Sequence, residues 1–227
     1  KLLVCADRNP NTNGARLTGF CFTEMGIKLP DIARGIREGK IKAIQYARTK
    51  KIPYLGICIG LQLAIIEFAR HKCGLTKATS REFSNTGEFV IDLMEEQRRV
   101  EKLGGSMRLG CYLCRLTPQS LAHQVYGKAE VTERHRHRYE VNNHYREVLE
   151  QNGMTFSGVN PELKLVEMAE IKDHPWFLTC QFHPEFKSKP FLPHPLFVGF
   201  VKAALNQTVK RGKEAPAKRG TTKGKAY

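Results

Sequence analysis

The stretch YLGICIGLQLAIIEFARH, residues 54–71, decides how the chain is read. Its first part completes IPYLGI, which reads as a buried strand. LQLAIIEFARH has helical periodicity and a basic last turn, as the helix dipole favours. Between them stands Gly56-Ile57-Cys58-Ile59-Gly60. Glycines on either side of a sharp strand-to-helix turn make room for strained backbone, and such a turn holds its central side chain out at the sheet edge as a nucleophile. Three consequences follow. Cys58 sits at the positive N-terminus of helix 61–71, which favours thiolate over thiol. The N–H of Ile59 faces a developing oxyanion, and Gln62, one turn on, points into the same pocket. The competing reading is a small buried core cysteine, the commonest fate of a free one. The five residues alone leave both open.

A thiolate nucleophile needs a base, and the base needs an orienting group. Far downstream, CQFHPEF supplies both. His183 and Glu185 are two apart, so an extended chain puts them on one side, and Pro184 fixes a backbone angle between them. The rival chemistry is metal: Cys111-x-x-Cys114 followed by His135 and His137 has the makings of a tetrahedral zinc site. Against it, GCYLCRL reads as a strand that sends its two cysteines to opposite faces, and the arginines of HRHRYE repel a cation.

Outward from these motifs, EGKIKAIQYARTKK repeats Ile41, Ile44 and Ala47 as an amphipathic helix. EFVIDLM, MRLGCYLCRL, HRHRYEV and LKLVEMAEI read as strands, and NHYREVLEQNG as a helix stopping at Gly153. WFLTCQFHPEF is a strand running into a turn at Pro184, and LFVGFVKAALN is a final helix. The opening forty residues begin like a short strand and then become Pro-, Asn- and Gly-rich without an assignable pattern; there is no initiator Met. The expected fold is α/β with a largely parallel, flavodoxin-like sheet and helices on both faces.

At 227 residues and 41% hydrophobic content the chain has one sizeable core. The expected organisation is one domain over 1–205 and a basic, disordered tail over 206–227, where seven Lys or Arg face one Glu. About +6 of the net +15 sits there, and a solvated extension outweighs a nucleic-acid arm. Seven cysteines without a secretory leader point to reduced thiols, and no stretch reaches the roughly 20 apolar residues of a membrane span, so a cytoplasmic protein is expected.

With PYLGICIGLQLAIIEFARH, GGSMRLGCYLCRL, ERHRHRYEVNN and HPWFLTCQFHPEFKSKP in one chain, the sequence closely resembles the glutaminase half of CTP synthase, from about Gly35 to about Ala204. The first and last motifs are shared by class I glutamine amidotransferases; the middle two are particular to CTP synthase. The resemblance implies that Cys58 attacks the side-chain amide of glutamine and forms a thioester, with His183 as acid and base and Glu185 orienting it. It implies that glutamine is held by the turn Ile59, Gly60, Leu61 and Gln62, by Glu82 on its amino group and by Arg138 on its carboxylate. A zwitterionic substrate independently asks for one acidic and one basic pocket residue. No cofactor is implied for this domain. For the full-length enzyme, a homotetramer, the resemblance implies a synthetase domain that aminates UTP with ATP and Mg²⁺, with GTP as activator and Arg108 as a candidate GTP contact. No G-x-x-x-x-G-K-[ST] loop is present, and the chain is too short for two such domains.

The departures are specific. GICIGLQ stands for the family's GICLGMQ, a swap of similar volumes, and TSREF for NSTEF keeps the acid. The family's Pro-Gly-Gly-Phe-Gly loop, donor of a second oxyanion N–H, precedes GKIKAIQYAR; here IKLPDIARGIREGK stands in its place. Either the loop is lacking or the sequence is interrupted there, and the missing pattern in the first thirty-odd residues favours interruption. The alternatives are another class I amidotransferase, which the two middle motifs argue against, and a basic scaffolding module with an inactive site.

Overall fold

The computed structural model describes residues 3–5, 29–93 and 107–214. The opening passage between residues 6 and 28 and the tail beyond Glu214 lie outside the described residues. In chain order the elements are β1 (Leu3–Cys5), α1 (Leu29–Thr49), β2 (Tyr54–Ile57), α2 (Ile59–His71), β3 (Ala78–Ser80), β4 (Glu88–Asp92), β5 (Arg108–Leu116), α3 (Leu121–Tyr126), β6 (Glu130–His137), β7 (Glu140–Val141), α4 (Arg146–Gln151), β8 (Met154–Val159), β9 (Val166–Ile171), β10 (Phe177–Cys180) and α5 (Pro195–Glu214).

Seven strands form one sheet in the order β1-β2-β10-β9-β8-β5-β6, and β3-β4-β7 form a second. The α/β class and the helices on both faces are as expected, but the sheet is mixed. β1, β2 and β10 run parallel; β10-β9, β9-β8, β8-β5 and β5-β6 are antiparallel. The physical reason is connection length. Parallel neighbours need a long crossover, which α2 begins after β2, whereas residues 160–165 and 172–176 are only long enough to turn the chain back.

β2 and β10 are buried on both faces, which is why their sequences are continuously apolar. Tyr54 and Phe177 face one way, into a core with Ile41 and Ile44 of α1 and Leu61, Ile65 and Phe68 of α2. Leu55, Ile57, Leu178 and Cys180 face the other way, against Ala122 of α3 and Leu196 and Phe200 of α5. The fully buried Glu67 of α2 is tolerated because Arg48 of α1 grips it bidentately at 2.7 and 2.8 Å, stapling the two helices together. Two readings need correction. α1 begins at Leu29, nine residues before the Glu38 at which the sequence pattern starts it. α5 runs to Glu214, past the Asn206 at which the sequence pattern ends it, because Lys and Arg are good helix formers whatever they leave exposed.

Candidate active site

The chain leaves β2 at Ile57 and enters α2 at Ile59, leaving a single residue to make the corner. Cys58 takes φ +54° and ψ −108°, a conformation costly for any residue with a Cβ. It is held there from both sides. Its N–H donates to Cys180 O of β10 at 2.8 Å, and its carbonyl accepts from Leu61 N and Gln62 N in the first turn of α2. A Cβ on Gly56 would lie 2.8 Å from Gly60 O, so the close approach demands glycine. The Tyr54 hydroxyl donates to that same Gly60 carbonyl at 2.8 Å. The half-buried Cys58 thus stands at a helix N-terminus on a fixed turn.

β10 runs parallel beside β2 with Cys180 opposite Ile57, so Cys58 and His183 leave the same end of neighbouring strands. His183 N–H donates to Arg134 O of β6 at 2.8 Å, and Pro184–Phe186 form one 3₁₀ turn. His183 Nδ1 meets Glu185 Oε1 at 2.6 Å. The pair does meet, but a tight turn brings it together and not the extended chain that the two-residue spacing suggested. With Nδ1–H donating to the carboxylate, Nε2 is the open nitrogen; it is buried and has no hydrogen-bond partner among the described residues. Burial alone would raise the Glu185 carboxyl, but the hydrogen bond and charge of His183 bring it below its ordinary value.

Three groupings that the sequence did not reveal complete the surroundings. Gln181, fully buried, donates from Nε2 to Cys58 Sγ at 3.7 Å and accepts at Oε1 from Gln62 Nε2 at 3.3 Å. Its cue was its place in CQFHPEF: a glutamine at an apolar strand end is costly to bury unless bonded. Glu133 of β6, also buried, accepts from Tyr126 Oη and His194 Nε2, both at 3.0 Å, and stands 3.6 Å from Lys187 Nζ. It thereby ties both ends of the segment after His183 to the sheet. The third group, around Arg108, lies deeper. Arg108 reaches Glu167 at 2.5 Å and Glu140 at 3.3 Å, and His135 Nδ1 lies 2.8 Å from His137 Nε2. Arg108 is thus buried between two carboxylates and not displayed to a nucleotide, against the GTP-contact expectation.

Of the other expected residues, Gln62 is buried, and besides bonding Gln181 it donates to Tyr139 O at 3.1 Å. Arg138, half-buried, follows β6 directly and precedes Tyr139, so its segment is carried to the elbow by that bond. Glu82 is exposed in the turn after β3, its N–H on Ser80 Oγ. Ile59, Gly60 and Leu61 form the first turn of α2. As the spacing predicts, Cys111 is exposed and Cys114 buried, so the two sulfurs face away from each other. Among the described residues no group of three or more His, Cys, Asp or Glu is arranged for a metal ion, and no helix is long and apolar enough to cross a membrane.

A model of the family "Glutamine amidotransferase class-I" matches residues 29–203, which include the elbow and the His183–Glu185 turn. The chain belongs to the class-I glutamine amidotransferase family. Among curated proteins, the amidotransferase chain is 59% identical over 175 residues to a CTP synthase of Geobacter sulfurreducens, covering 77% of this chain and 33% of that one. It is 58% identical over 182 residues to a CTP synthase of Syntrophus aciditrophicus, covering 80% and 34%. It therefore spans about a third of the length of these relatives. Among solved structures, the glutaminase domain of Trypanosoma brucei CTPS with bound acivicin superimposes with a TM-score of 0.71 at 37% identity, covering 75% of this chain and 66% of that one.

Proposed function

We propose that the chain hydrolyses glutamine to glutamate and ammonia, with Cys58 as nucleophile, His183 as acid and base and Glu185 as its orienting carboxylate. One observation carries this most: a cysteine held at positive φ on a helix N-terminus leaves the same sheet end as a histidine with one nitrogen fixed and the other open. Cys58 Sγ attacks the side-chain amide carbon, and the N–H of Ile59 bonds the oxygen as it becomes negative. His183 Nε2 takes the thiol proton of Cys58 and passes it to the departing ammonia as the C–N bond breaks, leaving a γ-glutamyl thioester. It then takes a proton from the water that cleaves the thioester to glutamate and restores the thiol. Glutamine is held by the turn Ile59–Gln62, with Glu82 on its amino group and Arg138 on its carboxylate.

The relatives are named CTP synthase, and the family resemblance extends the proposal to the ammonia's destination, amination of UTP to CTP in a cytoplasmic homotetramer, with GTP as activator. ATP and Mg²⁺ do not fit the residues present: the sequence has no phosphate loop of Walker form, and no metal cluster occurs among the described residues. That step is assigned to a synthetase domain outside this chain. One observation favours a weakened glutaminase. Helix α1 takes up the described part, from Leu29 on, of the passage that stands in place of the family's oxyanion loop, and one lost oxyanion donor lowers the rate on the order of 10²-fold or more.

The test is Cys58→Ala in a glutaminase assay, together with covalent labelling by a glutamine-analogue electrophile mapped by mass spectrometry. Hydrolysis is expected to vanish and the label to fall on Cys58, even where turnover is slow. Hydrolysis surviving in Cys58→Ala, or label on another cysteine, overturns the mechanism.

A further inference from the structure

We propose that Gln181 is a further catalytic residue, which donates to Cys58 Sγ and holds it as a hydrogen-bond acceptor, and that Gln62 is the positioning residue that orients it. The inference rests on the reading of Cys58 as nucleophile and adds what lies behind its sulfur.

The argument is one of hydrogen direction. Tyr139 O is a backbone carbonyl and can only accept, so the end of the Gln62 amide 3.1 Å away is the NH₂ end. That nitrogen has a second hydrogen, and Gln181 Oε1 lies 3.3 Å from it. The oxygen of Gln181 is thereby fixed toward Gln62, and its NH₂ is turned to Cys58 Sγ at 3.7 Å, within reach of a sulfur acceptor. The chain Tyr139 O, Gln62, Gln181, Sγ therefore runs in one direction, each member's role set by the one before, and the sulfur at its end receives a hydrogen. A sulfur that must accept is better served as thiolate than as thiol, and a bond to an anionic acceptor is stronger than one to a neutral group.

The relay is also rigid. Gln181 is fully buried and its N–H donates to Glu167 O at 2.8 Å; Gln62 is 3% exposed and sits in the first turn of α2, its N–H on Cys58 O. Water cannot replace either amide without opening the core.

The experiment measures the rate of Cys58 alkylation by iodoacetamide against pH, resolved to the Cys58 peptide by mass spectrometry, in the full chain. Gln181→Met keeps the volume and removes the donor. It is expected to raise the midpoint by about one pH unit, as for loss of one charge-assisted bond. Gln181→Glu, which sets a carboxylate against the sulfur, raises it further. Gln62→Met raises it less, and the double variant no more than Gln181→Met, because Gln62 acts through Gln181. In turnover, kcat of Gln181→Met falls about tenfold at neutral pH with KM unchanged, and recovers above the shifted midpoint. Gln181→Asn, which withdraws the amide by one methylene, serves the same purpose should the Met variant fail to fold. An unmoved midpoint in Gln181→Met or Gln181→Asn overturns the donor, and independent, additive shifts overturn the relay. Alkylation needs no glutamine, so it is read even if hydrolysis fails, and the two proposals fail separately.

Discussion

His183 with Glu185, and His135 and His137 with Glu140 and Glu167, are built from the same residue types and behave in opposite ways. At the sheet end His183 meets one carboxylate at 2.6 Å, Glu185 keeps a side chain 45% exposed, and its carboxyl lies below the ordinary value. In the interior, burial drives His135 and His137 down to about 2 and about 3, with Arg108 adding to the effect, and pushes Glu140 up to about 8 against the pull of Arg108. Water access makes the difference: the half-exposed Glu185 keeps its charge, whereas burial disfavours the charged forms of the interior histidines and carboxyls. Two carboxylates compete there for one guanidinium. Glu167 is the closer at 2.5 Å and Glu140 lies at 3.3 Å, and burial raises both carboxyls.

The sharpest way to break this contrast is to remove one member from each set. His183→Ala should lower glutamine hydrolysis on the order of 10³-fold, within the range of a lost acid-base catalyst, with the melting temperature nearly unmoved. Arg108→Met should do the reverse, costing about 3 to 5 kcal/mol by stranding buried carboxylates, read as a lower urea midpoint. That loss should be smaller at pH 5 than at pH 8, because the stranded carboxyls protonate. A stable Arg108→Met chain, or a His183→Ala chain that unfolds, would erase the division of roles.

The same contrast separates what the sequence showed from what it hid. The elbow was legible because everything that makes it, Gly56, Cys58 and Gly60, lies within five residues, and the strain is local. His183 and Glu185 were legible as a pair for the same reason, although the 3₁₀ turn that joins them was not. The Arg108 cluster was hidden, because its members come from β5, β6, β7 and β9 and meet only through pairings such as Arg108 opposite His137. Alternating His and Arg looked like a solvated edge, yet β6 turns His135 and His137 inward and Arg134 and Arg136 outward. The antiparallel half of the sheet was equally opaque, since apolar runs show burial but not direction. Gln181 lay inside a motif already singled out and was missed because nothing in its neighbours announces a sulfur from another strand.

A pH titration of stability refines the comparison further. Glu140 and Glu167 rise from 4.5 to about 8 and about 7 through burial. The folded chain therefore holds protons that the unfolded chain releases, and their contribution is complete below pH 4.5 and lost as pH rises through 7 to 8. His135 and His137 fall from 6.5 through burial, so their contribution is present above 6.5 and lost as pH falls toward 3. Between 4.5 and 6.5 the two trends offset, giving a plateau with a decline on either side. Glu140→Gln should flatten the alkaline decline between pH 6.5 and 8 in urea midpoints; a curve parallel to the unsubstituted chain over that window would refute the assignment.

The smallest effect belongs to Glu185. Its carboxyl is depressed, so whatever stability it lends is present above pH 4.5 and lost as pH falls; at nearly half exposure that amount is small. In the proposed mechanism its work is orientation: accepting from Nδ1 leaves Nε2 as the nitrogen that handles protons. Glu185→Gln keeps an acceptor oxygen at the same reach and removes only the charge, which water already screens. Hydrolysis should fall roughly tenfold in kcat, with KM and melting temperature unchanged. Should Glu185→Gln instead fall as far as His183→Ala, the charge would be indispensable despite its exposure, and water access could no longer be what separates the working pair from the buried cluster.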